Sequence, residues 1–228
     1  SNPIISYLDT ERNVTDQFPY AVQRIILDAG FNKEDDPENF DYLSLLPIKR
    51  EERFNDLRNY IELLRHKVKQ HLIIILDVVT DCIVSFNDPV ESMKLIDMIN
   101  DFINQYDMTF IVVIHENPNS DKARGHTGSE LLNKSSTVIQ VKLEDEDRDI
   151  IKITNLKNRN SKPFDSFYTR FDQDAKGLVP LEDYVPPVQS NVKAPTDEIW
   201  EYLIALDKPE TSRAGLVDWI TDKFSCSL

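Results

Sequence analysis

HLIIILD, residues 71–77, is an apolar run closed by a carboxylate. A run this short and without polar alternation reads as a strand covered on both faces, because a strand with one wet face would alternate. Two runs of the same kind flank it, IISYL at 4–8 and TFIVVI at 109–114, and DYLSLLPI at 41–48 reads as a shorter strand. The segments between them are amphipathic. Residues 16–30 predict a helix stopped by Gly30, and residues 49–70 carry Phe54, Leu57, Ile61, Leu64 and Val68 at helical spacing. Residues 89–106 predict a helix that opens on Asp88-Pro89, a capping carboxylate followed by proline at the first helical position. Strand–helix alternation with continuous apolar strands implies an α/β fold, a mostly parallel sheet between two helical layers.

Further along, a short helix is expected near residues 129–134, then strands at 137–143, 149–156 and 164–171 with no helix between them. Those strands are expected to extend the sheet at one edge, the last two antiparallel. Residues 1–176 would then be the core. Residues 177–195, with Pro180, Pro186, Pro187 and Pro195, read as a linker. Residues 196–228 hold two helical patterns, at 197–206 and 212–224, too little chain to build a core alone.

Composition narrows the function. Forty acidic against 26 basic residues give a net charge of −14, which argues against a surface built to embrace DNA non-specifically and leaves only a local patch for such contact. The acid is concentrated in KEDDPE at 33–38 and EDEDRD at 144–149, both expected as solvated loops. No apolar run approaches the roughly 18 residues of a membrane helix. Two cysteines far apart, Cys82 and Cys226, suggest reduced thiols and a cytoplasmic protein.

In an open parallel sheet, ligands bind beyond the carboxyl ends of the strands. Three strands here end in ionisable groups: Asp9-Thr10-Glu11, Asp77, and His115-Glu116. An apolar run closed by Asp77 fits a carboxylate that holds Mg²⁺, and equally fits a helix cap. Glu11 suits the activation of an attacking water, and equally a turn in which Asp9 caps the following segment. His115 suits a phosphate sensor or a histidine satisfied by nearby backbone. A zinc site from Cys82, His115, Glu116 and His126 lacks the short ligand spacing of such sites. The polar loop NPNSDKARGHTG at 117–128 is long enough to order over a nucleotide or nucleic acid, or to remain a surface loop. Lys157 and Arg159, two residues apart between strands, suit a phosphate or a solvated hairpin tip.

Five segments, in order over residues 3–172, resemble the RecA-like ATPases of the RepA and DnaB helicase group, especially the RepA-like proteins of mobile genetic elements. They are YLDTE (7–11), IIILDVVTDCI (73–83), FIVVIHENPN (110–119), RGHTGSELLNKSSTVIQV (124–141) and LKNRN (156–160). The resemblance implies a three-layer RecA-like core with antiparallel edge strands and a small helical C-terminal segment similar to the start of a winged-helix or helix-turn-helix domain. It implies Glu11 as catalytic glutamate, Asp77 as Mg²⁺ holder, His115 as sensor, and Lys157 with Arg159 as fingers reaching a neighbouring subunit's phosphate. Asp9, Arg124, Gly128 and Ser129 are the implied nucleotide contacts. The implied cofactors are ATP and Mg²⁺, and the implied partners are DNA and further copies of the chain in a ring or filament.

Two features depart from that pattern. The sequence contains no G-x-x-x-x-G-K-[ST], the loop that supplies most phosphate binding and in the family precedes the strand matching IISYL. An N-terminal portion outside these residues is therefore expected, and the 228 residues alone are expected not to hydrolyse ATP. Ser161 stands where family finger loops often carry glycine. The competing expectations are a degenerate RecA-like scaffold that binds DNA or a protein partner, and an unrelated doubly wound domain such as a phosphotransfer receiver or small hydrolase.

Overall fold

The computed structural model describes residues 2–118, 120–144, 147–175, 177–182, 184 and 185. Two units are distinguished, Ser1–Pro180 and Leu181–Leu228, and every strand and helix of the described residues lies in the first. The helical patterns expected at 197–206 and 212–224 lie outside the described residues.

The apolar runs do become strands. β1 (Ile4–Asp9), β2 (Phe40–Ser44), β3 (Leu72–Asp77) and β4 (Met108–Val112) form one sheet in the order β2-β1-β3-β4, every pair parallel. Side chains alternate between its faces. Leu8, Leu72, Ile74 and Leu76 are completely buried on one face, under α2 (Arg50–Lys67) and α3 (Pro89–Gln105), which contribute Leu57, Ile61, Leu64, Leu95, Ile96, Ile99 and Phe102. The opposite face belongs to α1 (Gln17–Asp28), whose Phe18, Val22 and Ile26 pack on Tyr7, Phe40 and Ile75. Tyr7 and Asp9, two residues apart, therefore share the α1 side of the sheet.

Local chemistry sets the helix ends. Asp88 accepts hydrogen bonds from the amides of Val90 at 2.8 Å and Glu91 at 3.0 Å, so α3 starts at Pro89 as expected. Gly30, at φ 86°, follows α1 in the left-handed region that glycine adopts at no steric cost, and its amide reaches the Leu27 carbonyl at 2.9 Å. α4 (Gly125–Lys134) begins four residues before the expected short helix, because Gly125 at φ 70° turns the chain directly into it.

The later strands pair among themselves. β5 (Thr137–Leu143), β6 (Ile150–Asn158), β7 (Phe167–Asp172) and β8 (Gly177–Pro180) form an antiparallel sheet in that order. Among the described residues no ladder joins β4 to β5, so each presents an unpaired edge. The chain after β4 nevertheless borders β5: Gln140 donates to Glu116 at 2.5 Å and Lys142 to Asp121 at 2.8 Å. β8 corrects the linker boundary. Gly177–Pro180, expected at its start, pairs with β7 instead, and Pro180 is tolerated because it ends a strand at the sheet's edge.

Among the described residues no helix is long and apolar enough to cross a membrane. Cys82 is buried in the apolar cluster beneath the sheet, and that burial pushes its thiol up to about 12. The thiolate is the reacting species. Alkylation of the folded protein near pH 8.5, followed by peptide-resolved mass spectrometry, is therefore expected to modify Cys82 roughly three orders of magnitude more slowly than in the unfolded chain. Rapid native-state labelling would contradict this environment.

Candidate functional site

β1 and β3 run parallel in register, which sets Asp9 beside Asp77 at their carboxyl ends. Two carboxylates so placed repel unless a cation or proton intervenes. The cation is Arg12, on the turn after β1. Its Nη1 donates to Asp77 Oδ2 at 2.7 Å, to the Tyr7 hydroxyl at 2.6 Å and to Asp9 Oδ2. The Tyr7 hydroxyl lies between the carboxylates, 3.1 Å from Asp9 Oδ2 and 3.0 Å from Asp77 Oδ2. Burial, and then the Asp77 charge, raise the Tyr7 phenol above its ordinary range, so it stays neutral and can donate. Burial alone would lower the Arg12 pKa, but hydrogen bonds to Asp77 and Asp9 override that and hold it above its usual value.

Asp9 differs from its expected nucleotide-binding role. It is completely buried, and its second oxygen, Oδ1, accepts from the amides of Glu11 at 3.1 Å and Arg12 at 2.7 Å. Both oxygens are engaged within the protein, and Asp9 anchors the turn that carries Glu11. Thr10, also buried, ties that turn to β3. Its amide donates to the Asp77 carbonyl at 2.7 Å, and its hydroxyl accepts from the Val78 amide at 2.8 Å and lies 3.0 Å from the Val78 carbonyl. The Asp77–Val78 peptide is cis.

Glu11 and His115 come together as their strand ends suggest. His115 Nε2 lies 3.1 Å from Glu11 Oε1, and both side chains are exposed. Asp77 keeps one oxygen, Oδ1, that accepts no hydrogen bond among the described residues. These residues form no cluster of three or more His, Cys, Asp or Glu side chains that could cage a metal ion. A cation at Asp77 would thus take its other ligands from water and phosphate, which suits Mg²⁺ and its preference for one or two carboxylates.

The loop after β4 closes on itself as a hairpin. Glu116 bridges Ala123, and the Arg124 amide donates to the His115 carbonyl at 2.9 Å. The Arg124 guanidinium lies 4.8 Å from the Phe86 ring centroid. Gly128, an implied nucleotide contact, is buried, and a Cβ there would meet the Ala123 backbone at 2.6 Å, so close packing requires the glycine. Ser129 is exposed, and its hydroxyl returns to the Gly125 carbonyl at 3.4 Å. Lys157 and Arg159 turn to the end of α4. Lys157 Nζ reaches the carbonyls of Leu132 at 2.5 Å and Asn133 at 3.0 Å, and Arg159 reaches Asn133 at 2.5 Å. Cations there complement the helix dipole. Partial desolvation and the neighbouring Arg159 lower the Lys157 pKa.

Tyr7, Thr10 and Arg12 escaped the sequence reading. One usable signal was spacing: Tyr7 lies two residues before Asp9 and so on the same strand face, and Arg12 lies three after it, within reach of a carboxylate-capped turn.

No family model matches the sequence, and no curated protein is significantly similar to it. Among solved structures, the fold is similar to that of the RadB recombinase, with a TM-score of 0.54 at 15% identity, covering 79% of this chain and 80% of that one. It is also similar to a DnaB-like replicative helicase solved for its interactions with primase, with a TM-score of 0.55 at 12% identity, covering 79% of this chain and 52% of that one. At such identities the likeness concerns the fold alone: the chain has the RecA-like α/β architecture.

Thr10→Ala is expected to lower stability by about 1–3 kcal/mol, because the buried Val78 amide loses its acceptor, while Thr10→Ser retains most of it. Urea unfolding measures the difference, and an unchanged midpoint for the alanine variant would mean that Val78 finds another partner.

Proposed function

We propose that this chain is the greater part of an ATP-hydrolysing RecA-like core, similar to the RepA-like proteins, that acts on DNA in the replication, mobilisation or transposition of a mobile element in the cytoplasm. The observation that carries this is the convergence of Glu11, Asp77 and His115 at the carboxyl ends of three neighbouring parallel strands, with Glu11 and His115 in hydrogen-bond reach. Ligand sites of open parallel sheets lie at that end.

In this reading Glu11 orients and deprotonates the attacking water, and His115 holds Glu11 in place until a terminal phosphate takes over the His115 hydrogen bond. Asp77 would hold Mg²⁺, which neutralises charge on the phosphates when bound. Lys157 and Arg159 would exchange the α4 carbonyls for a phosphate of the adjoining subunit in a ring or filament. Arg124 and Ser129, at the start of α4, are the remaining candidates for contact with nucleotide or DNA. The linker and the segment 196–228 would carry the start of a DNA-binding domain.

The 228 residues hold no phosphate loop, so nucleotide binding in this reading needs one from outside them. The unpaired edges of β4 and β5 favour a place for it. Ile111, Ile139 and Val141 on those strands, and Val113 just after β4, are exposed. An apolar strand between the edges would complete both ladders, and a phosphate loop follows such a strand at its carboxyl end.

One observation favours the alternative, a RecA-like scaffold without catalysis: Arg12 already sits against Asp77. The two readings part experimentally. In a protein that also carries the phosphate loop, Glu11→Gln is expected to lower ATP turnover by about 100-fold or more and to change Mg-ATP binding by only a few-fold, while the 228 residues alone stay at background. Turnover assays with a binding titration check this. Unaltered turnover removes Glu11 from the mechanism, and an extended protein that neither binds nor hydrolyses ATP supports the scaffold.

A further inference from the structure

We propose that Arg12 makes the loading of a divalent cation at Asp77 conditional on a polyphosphate: it repels the cation when the site is empty and offers its free donors to the phosphate when one arrives. The inference rests on reading Asp77 as the carboxylate that holds the metal, and it assigns a role to a residue that neither the strand-end pattern nor the family resemblance singles out.

All of the Arg12 side chain's hydrogen bonds among the described residues pass through a single nitrogen. Nη1 alone meets Asp9, Asp77 and Tyr7. A guanidinium has five N–H donors in a planar fork. Its Nε and Nη2 make no hydrogen bond among the described residues, and 39% of the side chain is exposed. The guanidinium is thus clamped on one side and open on the other, at the end of the sheet where Asp77 also keeps Oδ1 open. Such a fork matches phosphate oxygens in shape and charge.

The electrostatics follow from the same geometry. The Asp77 side chain is only 16% exposed, so water screens it little, and a positive charge already lies 2.7 Å from Oδ2. A metal ion approaching Oδ1 meets a carboxylate whose charge is neutralised and a guanidinium that repels it. Asp9 cannot substitute, because it is fully buried and both its oxygens are engaged. A polyphosphate changes the balance: its negative charge attracts both cations, the free donors of Arg12 are placed to take one of its oxygens, and Asp77 would hold the metal, which would supply further neutralising charge. Arg12 is in this sense a positioning residue that selects the metal–polyphosphate complex over the metal alone.

The test uses the 228-residue protein, Mn²⁺ as an electron-paramagnetic probe and inorganic tripolyphosphate as the anion, with no turnover required. Without tripolyphosphate, Arg12→Gln is expected to bind Mn²⁺ at least ten-fold more tightly than the parent, and the gain should vanish in Arg12→Gln with Asp77→Asn. With tripolyphosphate, the parent's affinity for Mn²⁺ should rise by more than that of Arg12→Gln. A folded Arg12→Gln protein with unchanged or weaker Mn²⁺ binding overturns the proposal, as does a gain that survives Asp77→Asn. Should the glutamine variant fail to fold around unpaired Asp9, Arg12→Lys carries the test. Lysine keeps the counter-charge and lacks the fork, so Mn²⁺ binding alone should stay weak and the response to tripolyphosphate should fall at least three-fold; an undiminished response overturns the proposal. ATP turnover sensitive to Glu11→Gln, with Mn²⁺ affinity indifferent to Arg12, would sink this inference and leave the ATPase reading standing. Arg12-dependent Mn²⁺ affinity in a protein that never turns over would do the reverse.

Discussion

Two parallel strands that end on aspartates in the same register create a charge problem the rest of the site is built around. Asp9 and Asp77 are neighbours across the β1–β3 ladder, and Asp9 has no exposed surface. Two carboxylates in so dry a place need a counter-charge and hydrogen bonds to remain together as ions. Arg12 and the Tyr7 hydroxyl supply both, and the sequence distance is short because a turn must bring Arg12 back over the strand it has just left. Asp9 makes that turn by dividing its work: Oδ2 holds the guanidinium and Oδ1 holds the amides of Glu11 and Arg12. Glu11 is then presented outward, opposite His115. The exposed pair therefore stands on an ionic group anchored by the buried Asp9.

The same strand ends show why backbone and side chain cannot be separated here. Thr10 uses its amide on the Asp77 carbonyl and its hydroxyl on Val78, so β1 and β3 are stitched together just past their ladder. α4 presents unsatisfied carbonyls at its C-terminus, and Lys157 and Arg159 answer them from β6 and the residue after it. A helix C-terminus carries only partial negative charge, whereas a phosphate carries formal charge and more acceptors. The two cations are held by the weaker anion, and a competing phosphate within reach has the stronger claim on them.

What the sequence disclosed, and what it hid, divides along these lines. β1 and β3 were readable because a strand covered on both faces must be continuously apolar, β4 because its run is equally apolar although its Thr109 and Ile111 side is exposed, and α3 because Asp88-Pro89 is a local capping signal. The convergence of Glu11, Asp77 and His115 followed from the parallel order alone. β8 was hidden by Pro180, which reads as a linker residue until a neighbouring strand excuses its missing amide. The start of α4 was hidden by Gly125 and Gly128, which look like a flexible loop; one supplies a left-handed turn and the other close packing against Ala123. The residues suggested a turn in which Asp9 caps the following segment, and its Oδ1 does so, while the nucleotide contact was implied only by the resemblance. The actual partner of Asp9 depends on register with Asp77 and on the path of the next three residues, which no spacing within β1 encodes. For Tyr7 and Arg12 spacing placed the residues near Asp9, but not their shared contact with Asp77.

The coupling between these layers has a definite mechanical route. Asp9 Oδ1 grips consecutive amides, so the backbone that carries Arg12 is the backbone that carries Glu11. The Arg12 side chain reaches Asp77, and the Glu11 side chain reaches His115 on the strand end beyond it. The Arg12 and Glu11 side chains thus leave the same short turn, and Thr10 fixes the base of that turn to Val78. A rigid anchor with a movable tip is what a site needs if charge arriving at one carboxylate is to reposition another. In this fold the turn of residues 9–12 carries, on one short stretch of backbone held by Asp9, both the residue that meets Asp77 and the residue that meets His115.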